Sequence, residues 1–334
     1  MNILGKSLTQ WAFTTKDQIA LLEQWQSSDE YGLTTRQFCE SLIENGTSAT
    51  KHIGTAGLDA PARGEQFTDV LQGWLPPLVI SAITVSTLAG DRQKGLKAAI
   101  RQLEGGQNIV GKIAALLAIP FLITIGVGGL GVYVSNQVLA AAPELNPFGL
   151  GQLVNDIAVL WGPVVAVFCV VFLMILAFAL PRVTGQLREG LDNLPIFSLF
   201  KTATTASLME SVANLLSCGM KLDDALASIG THGQPFITSH VSQMRQRSIG
   251  QENLGEIMDT GLLLPFERSA LKVLGGYADN SVLLFKSAKA HQKVVERRIT
   301  LMSAILPKVG LLVAIAVLAT LIGTSVMQLL EATA

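Results

Sequence analysis

Between Ile113 and Pro181 the chain carries no lysine or arginine. Two apolar stretches fill this interval, IAALLAIPFLITIGVGGLGVYVSNQVLAAA at 113–142 and IAVLWGPVVAVFCVVFLMILAFAL at 157–180. A spacer containing Pro143, Pro147 and several glycines separates them over 143–156. A third apolar stretch, VGLLVAIAVLATLIGTSVMQLL, occupies 309–330. Each is long enough for the roughly 20 residues that cross a bilayer. Only 15% of the 334 residues are charged, against about 25% in a soluble domain. Mean hydropathy is +0.45. The reading is three transmembrane helices, at 113–142, 157–181 and 304–330.

Basic residues set the orientation, because lysine and arginine are retained on the cytoplasmic side. Ten lie in 1–112, thirteen in 182–303, and Lys308 stands at the foot of the third span. The spacer and the tail 331–334 have none. The expectation is a cytoplasmic N-terminal region (1–112), a periplasmic spacer (143–156), a second cytoplasmic region (182–303) and a periplasmic C-terminus. The first residues, MNILGKSLTQWAFTTKD, contain no apolar core of signal-peptide length. Net charge is −1, so no overall field favours nucleic acid. Cys39, Cys169 and Cys218 are scattered, with no C-x-x-C spacing, which speaks against a disulfide framework or a zinc ribbon.

The apolar cores contain no Asp, Glu, Lys, Arg or His, and such groups commonly mark ion and proton pathways. That speaks against an ion-coupled transporter. A channel or transporter built from oligomerised three-span units is the second functional reading, with only Ser, Thr, Asn and Gln to line its pore. The spans do offer small residues at helical spacing. Gly126 and Gly131 lie in the first, Gly162 and Ala166 in the second, and Ala319 and Gly323 in the third. Such spacing permits close helix packing. Pro120 and Pro163 are read as kinks or span ends.

The two cytoplasmic regions are similar in length, and the chain repeats itself. GLTTRQFCESL (32–42) lies over GMKLDDALASI (219–229), matching Gly32 with Gly219 and Ser41 with Ser228. PLVISAITVSTLAGD (77–91) lies over PFERSALKVLGGYAD (265–279), matching Pro77 with Pro265 and Asp91 with Asp279. Both regions carry helical apolar spacing and little strand-type alternation. The fold class expected is an all-α polytopic membrane protein with two duplicated cytoplasmic helical bundles and three transmembrane helices.

Motifs with catalytic chemistry are absent or misplaced. GQNIVGKI (106–113) imitates a phosphate-binding loop, but Ile113 follows Lys112 where Ser or Thr should hold Mg²⁺. Lys112 reads instead as an anchor at the membrane boundary. His52, His232, His240 and His291 show no paired-ligand spacing. KVVERRI (293–299) reads as a basic anchor meeting anionic lipid headgroups. Asp223 and Asp224 fall in a first helical turn, where the helix dipole favours carboxylates, and Arg36 and Gln37 take their places in the first repeat. No cofactor and no metal is expected. Residues read as a partner surface are Asp223, Asp224, Arg245 and Arg247, together with Asp91, Arg92 and Asp279.

The duplicated architecture, the Gly-turn in LLSCGMKLDDAL (215–226) and the turn sequences AGDRQKGL (89–96) and GGYADN (275–280) resemble a known family. It is the inner-membrane platform proteins of type II secretion systems and type IV pili, with length closest to the type IVb pilus branch. The resemblance implies a non-enzymatic homo-oligomer in the bacterial inner membrane. It also implies partnership with a hexameric assembly ATPase, with pilin or pseudopilin subunits and with other inner-membrane assembly proteins.

Overall fold

The computed structural model describes residues 8–105, 109–141 and 149–333. Among them no strand forms and nearly every segment is helical. The first helices are α1 (Leu8–Ala12), α2 (Thr15–Glu30), α3 (Thr35–Asn45), α4 (Ser48–Asp59), α5 (Phe67–Val70), α6 (Pro77–Leu88) and α7 (Arg92–Gly105). Three-residue to four-residue polar turns with their own caps separate several of them. Thr14 and Thr34 each accept from a backbone N–H three residues on, while Asp17 and Gln37 reach back to the cap backbone. These reciprocal capping boxes fix where α2 and α3 begin.

Two long apolar helices follow, α8 (Ile109–Ala141) and α9 (Gly149–Arg182). Helix α9 therefore starts inside the stretch read as a spacer, and Pro120 and Pro163 lie within helices. Then come α10 (Gln186–Leu191), α11 (Pro195–Ser217), α12 (Leu222–His232), α13 (Pro235–Ser248), α14 (Leu254–Met258), α15 (Pro265–Leu274) and α16 (Asn280–Thr333). Three helices, within α8, α9 and α16, are long and apolar enough to cross a membrane. The protein is an all-α polytopic membrane protein.

The repeat reaches the helix boundaries. The end of α2 and the starts of α3, α4 and α5 recur 187 residues later in α11, α12, α13 and α14. The starts of α6 and α7 recur 188 residues later in α15 and α16. Gly32 (φ +76°) and Gly219 (φ +93°) occupy the same turn, where left-handed backbone favours glycine. The core follows the same register. Leu21 and Leu208, Cys39 and Leu226, Leu42 and Ile229, and Leu96 and Leu284 are buried in pairs. In the first copy the rings of Trp25, Phe38 and Phe67 pack on one another at centroid distances of 4.8–6.0 Å. Trp25 and Phe38 are replaced by Val212 and Ala225 in the second, so the two cores share a pattern but differ in volume.

The chain divides into two compact units. One comprises Met1–Gln107 with Lys201–Lys293, and the other Asn108–Phe200 with Val294–Ala334. Both copies of the repeat thus contribute to the first unit. They meet there through α7 and α11: Gln102 donates to the Ser211 hydroxyl at 2.7 Å, and Asn214 donates to Gln102 at 3.3 Å.

In the second unit α8 and α16 run side by side in the same direction. The Thr124 hydroxyl donates to the carbonyls of Pro120 (2.9 Å) and Gly310 (3.3 Å). A Cβ on Gly310 would sit 2.8 Å from Pro120 Cα, and one on Gly131 would sit 3.1–3.3 Å from the tips of Leu321 and Leu318. Farther along, the buried hydroxyls of Ser135 and Ser325 hydrogen-bond at 2.8 Å. Small residues bring the backbones together and hydroxyls join them, as expected for helices packed without water.

Candidate functional site

The most developed polar recess lies within the first unit, where the two copies meet. It has a volume of about 890 Å³. Three helix corners line it: Ser86, Asp91 and Lys94 from α6–α7, Cys218 and Gly219 from α11–α12, and Asp279 from α15–α16. The equivalent aspartates of the two copies, Asp91 and Asp279, thereby face one recess.

Each of these aspartates starts a helix. Asp91 accepts from the Lys94 N–H at 3.1 Å, at the head of α7. Asp279 accepts from the Ser281 hydroxyl (2.6 Å) and from the N–H groups of Ser281 (2.8 Å) and Val282 (3.3 Å), at the head of α16. These bonds, the Ser281 hydroxyl first, hold the Asp279 carboxyl below the usual carboxylate range, and Lys94 adds to the effect. A carboxylate at an N-cap satisfies orphan N–H groups. Cys218 is buried, and burial pushes its thiol up, so it stays a thiol and is a poor nucleophile at neutral pH. The recess presents fixed charges, two carboxylates and one ammonium, suited to docking a polar surface.

Arg92 turns away from the recess. It pairs with Asp29 at the end of α2, where Gln93 also donates to Asp29 at 2.8 Å. This joins the first and last helices of the first copy.

Asp223 and Asp224 lie in the first turn of α12, whose N-cap, Lys221, makes no side-chain cap bond. Arg245 from α13 grips Asp223 with two bonds, at 3.0 and 3.2 Å, and that contact holds the carboxyl below its ordinary range. Both partners are exposed. Arg247 points elsewhere, donating to the carbonyls of Glu256 and Asp259. Beside it Lys272 bridges Glu256 (3.2 Å) and Asp259 (2.8 Å), clamping α14 to α15. So four residues read as one surface separate into an exposed pair with Asp224 beside it and a structural clamp. Sequence reading missed Lys94, Glu256, Asp259 and Lys272. The repeat of Asp91 at Asp279 is the signal that could have led to Lys94.

The small residues of the spans also separate. Gly131 meets Leu318 and Leu321 across α8 and α16, whereas Gly126, Gly162 and Gly323 have open space where a side chain would be. Ala166 is half-buried and Ala319 exposed. Gly310, in closest contact with Pro120, was not singled out by spacing.

A buried arginine closes the second span. Arg188 donates to the Leu180 carbonyl (2.7 Å) and to Asp192 (2.8 Å), with the rings of Phe197 and Phe200 at 5.0 and 5.4 Å. A cation on a late carbonyl of a helix satisfies both the orphan acceptor and the dipole.

Fold and site together define a three-span membrane protein whose non-membrane helices are duplicated around a polar recess. No protein-family model matches the chain. It is 23% identical over 215 residues to the toxin coregulated pilus biosynthesis protein E of Vibrio cholerae. The match takes in 61% of this chain and 63% of that protein, so the chain spans less than two thirds of the relative's length. The likeness supports a role related to pilus biosynthesis in a membrane.

Proposed function

We propose that the chain is an inner-membrane platform protein for assembly of a type IV pilus, or of the pseudopilus of a type II secretion system. It acts without catalysing a reaction, coupling a cytoplasmic hexameric assembly ATPase to the extraction and polymerisation of pilin. The likeness to a pilus biosynthesis protein carries this reading. Two features support it: the duplicated helical copies between apolar helices, and the basic residues concentrated in those copies. In this reading residues 1–112 and 182–303 are cytoplasmic, the segment 143–156 and the C-terminus are periplasmic, and the inter-copy recess and the exposed Asp223–Arg245 pair face cytoplasmic partners. The lipid-facing glycines Gly126, Gly162 and Gly323 are open to a hydrophobic pilin helix.

The test is a chromosomal deletion complemented with the full chain. Pili are expected to vanish in the deletion strain and return on complementation, while the purified ATPase still hydrolyses ATP. Normal piliation without the chain contradicts the proposal. Reporter fusions at residues 150 and 334 should both give periplasmic signals, and a cytoplasmic signal from either contradicts the orientation.

A further inference from the structure

The contact between the two copies is head-to-tail, and it is left open at both ends. The last helix of copy one, α7, covers the first helix of copy two, α11, through Gln102 and the buried Ser211 and Asn214. Arg101 on α7 acts on the carboxylate of Glu210 on α11. At the corner, Ser86 lies with the buried Cys218 in one recess. If the same relation were applied once more, the last helix of copy two would cover the first helix of another copy one.

Both surfaces that this step requires are exposed. On α2, Gln24 and Ser27 replace Ser211 and Asn214 and are exposed. At the corner, Tyr31 replaces Cys218 and is 84% exposed. On the opposite side Leu274 and Val282 replace Ser86 and Lys94, and they are 46% and 48% exposed. Large apolar side chains standing uncovered at both matching corners are not explained by the fold of one chain.

The charges match as well. Glu23 on α2 replaces Glu210, and Lys289 on α16 replaces Arg101; both are exposed. Lys286 and Lys293 extend the positive face of α16, and Glu30 extends the negative face of α2. The opposite-sign pairing seen within the chain is thus preserved between its two free faces, while the apolar corners replace a small polar contact. Opposite potentials on facing surfaces fix register and partner.

We propose that α2 and the Tyr31 corner of one copy of this chain dock on α16 and the Leu274–Val282 corner of a second copy, repeating between chains the contact that α11 makes with α7. The interface is heterologous: each copy uses one face to receive and the other to insert. Such contacts form rings when the rotation closes and open arrays when it does not. The proposal concerns the chain alone and does not depend on the pilus reading.

The experiment is oxidative cross-linking of the full chain in membranes and after purification, with native Cys39, Cys169 and Cys218 left in place because they are buried. Copies carrying Tyr31→Cys and differently tagged copies carrying Leu274→Cys are co-expressed. A cross-linked dimer containing both tags is expected, and a ladder of multimers when both substitutions share one chain. Glu23→Lys in the first copy, or Lys289→Glu in the second, should cut the yield several-fold, and combining the two should restore it. Retained burial of the native cysteines shows that each variant is folded. Absence of the mixed dimer in folded protein overturns the proposal. So does a Tyr31→Cys dimer as strong as the mixed one, which would mean a symmetric contact. Failure of the charge swap to restore the yield, or capture of either cysteine by a different protein instead, overturns it too.

Discussion

The hydroxyls of Ser135 and Ser325, 190 residues apart in sequence, meet at 2.8 Å between two parallel apolar helices. The two helices end the two copies of the repeat, so residues at nearly equivalent positions touch each other. Three points fix the contact: Pro120 against Gly310, Gly131 against Leu318 and Leu321, and the serine pair. Gly310→Leu should separate the helices at their closest point, where a Cβ already lies within 3 Å of backbone. Overpacking of this kind costs about 1–3 kcal/mol. Gly323→Leu, placed in open space, should cost nothing measurable. The check is a thermal melt in detergent read by labelling of the three buried cysteines, with the two variants compared side by side.

Arg188 should be the most sensitive charged residue outside the spans. Arg188→Met removes its bonds to the Leu180 carbonyl and Asp192 while keeping much of its volume against Phe197 and Phe200. Breaking one side of a buried pair costs about 3 kcal/mol. The same melt should show a large drop, partly recovered when Asp192→Leu is added to remove the stranded carboxylate.

Glu210 gives a pH-dependent signature. It is half-buried on α11, and burial raises its carboxyl above the ordinary value of 4.5, opposed by the hydrogen bond from Gln292 and the charge of Arg101, with Glu104 adding a smaller rise. The folded chain therefore binds this proton more tightly than the unfolded chain. Below 4.5 both states are protonated and the group is neutral in its effect. As pH rises through the folded value, the group progressively costs stability, and the cost is constant above it. Glu210→Gln should accordingly raise the melting temperature at pH 7 and leave it unchanged at pH 4. A gain that is equal at both values contradicts the assignment.

The Gly32 and Gly219 turns should respond alike. Both adopt left-handed backbone with open space around them, so alanine there meets backbone strain and no clash. Each Gly→Ala should cost about 1 kcal/mol, measured in the same melt. A difference between them larger than that would show that the two turns are not structurally equivalent.

Much of this architecture was legible before any coordinates. The three spans follow from uncharged runs, and the duplicated helices follow from glycine, proline and aspartate recurring at one offset. The contact between the two copies was not legible, because Gln102, Ser211 and Asn214 are polar residues that a sequence reading assigns to the surface. Gly310 was missed because it stands two residues from Lys308, at the edge of an apolar run, without a small partner four residues away. Arg245 and Arg247 looked like one patch, but two residues along a helix point to different sides, and one grips Asp223 while the other caps the end of α14. Arg188 was passed over because nothing in GQLREG marks an arginine for burial. Its partners come from a span end and a later helix.

The most direct test of the central claim is piliation in a strain lacking this gene, counted by electron microscopy and matched against ATP hydrolysis by the cognate assembly ATPase. The account predicts bald cells, undiminished hydrolysis and pilin left in the inner membrane, with pili restored by the full chain. Pili of normal number in the deletion strain, or loss of hydrolysis by the isolated ATPase from that strain, would contradict it.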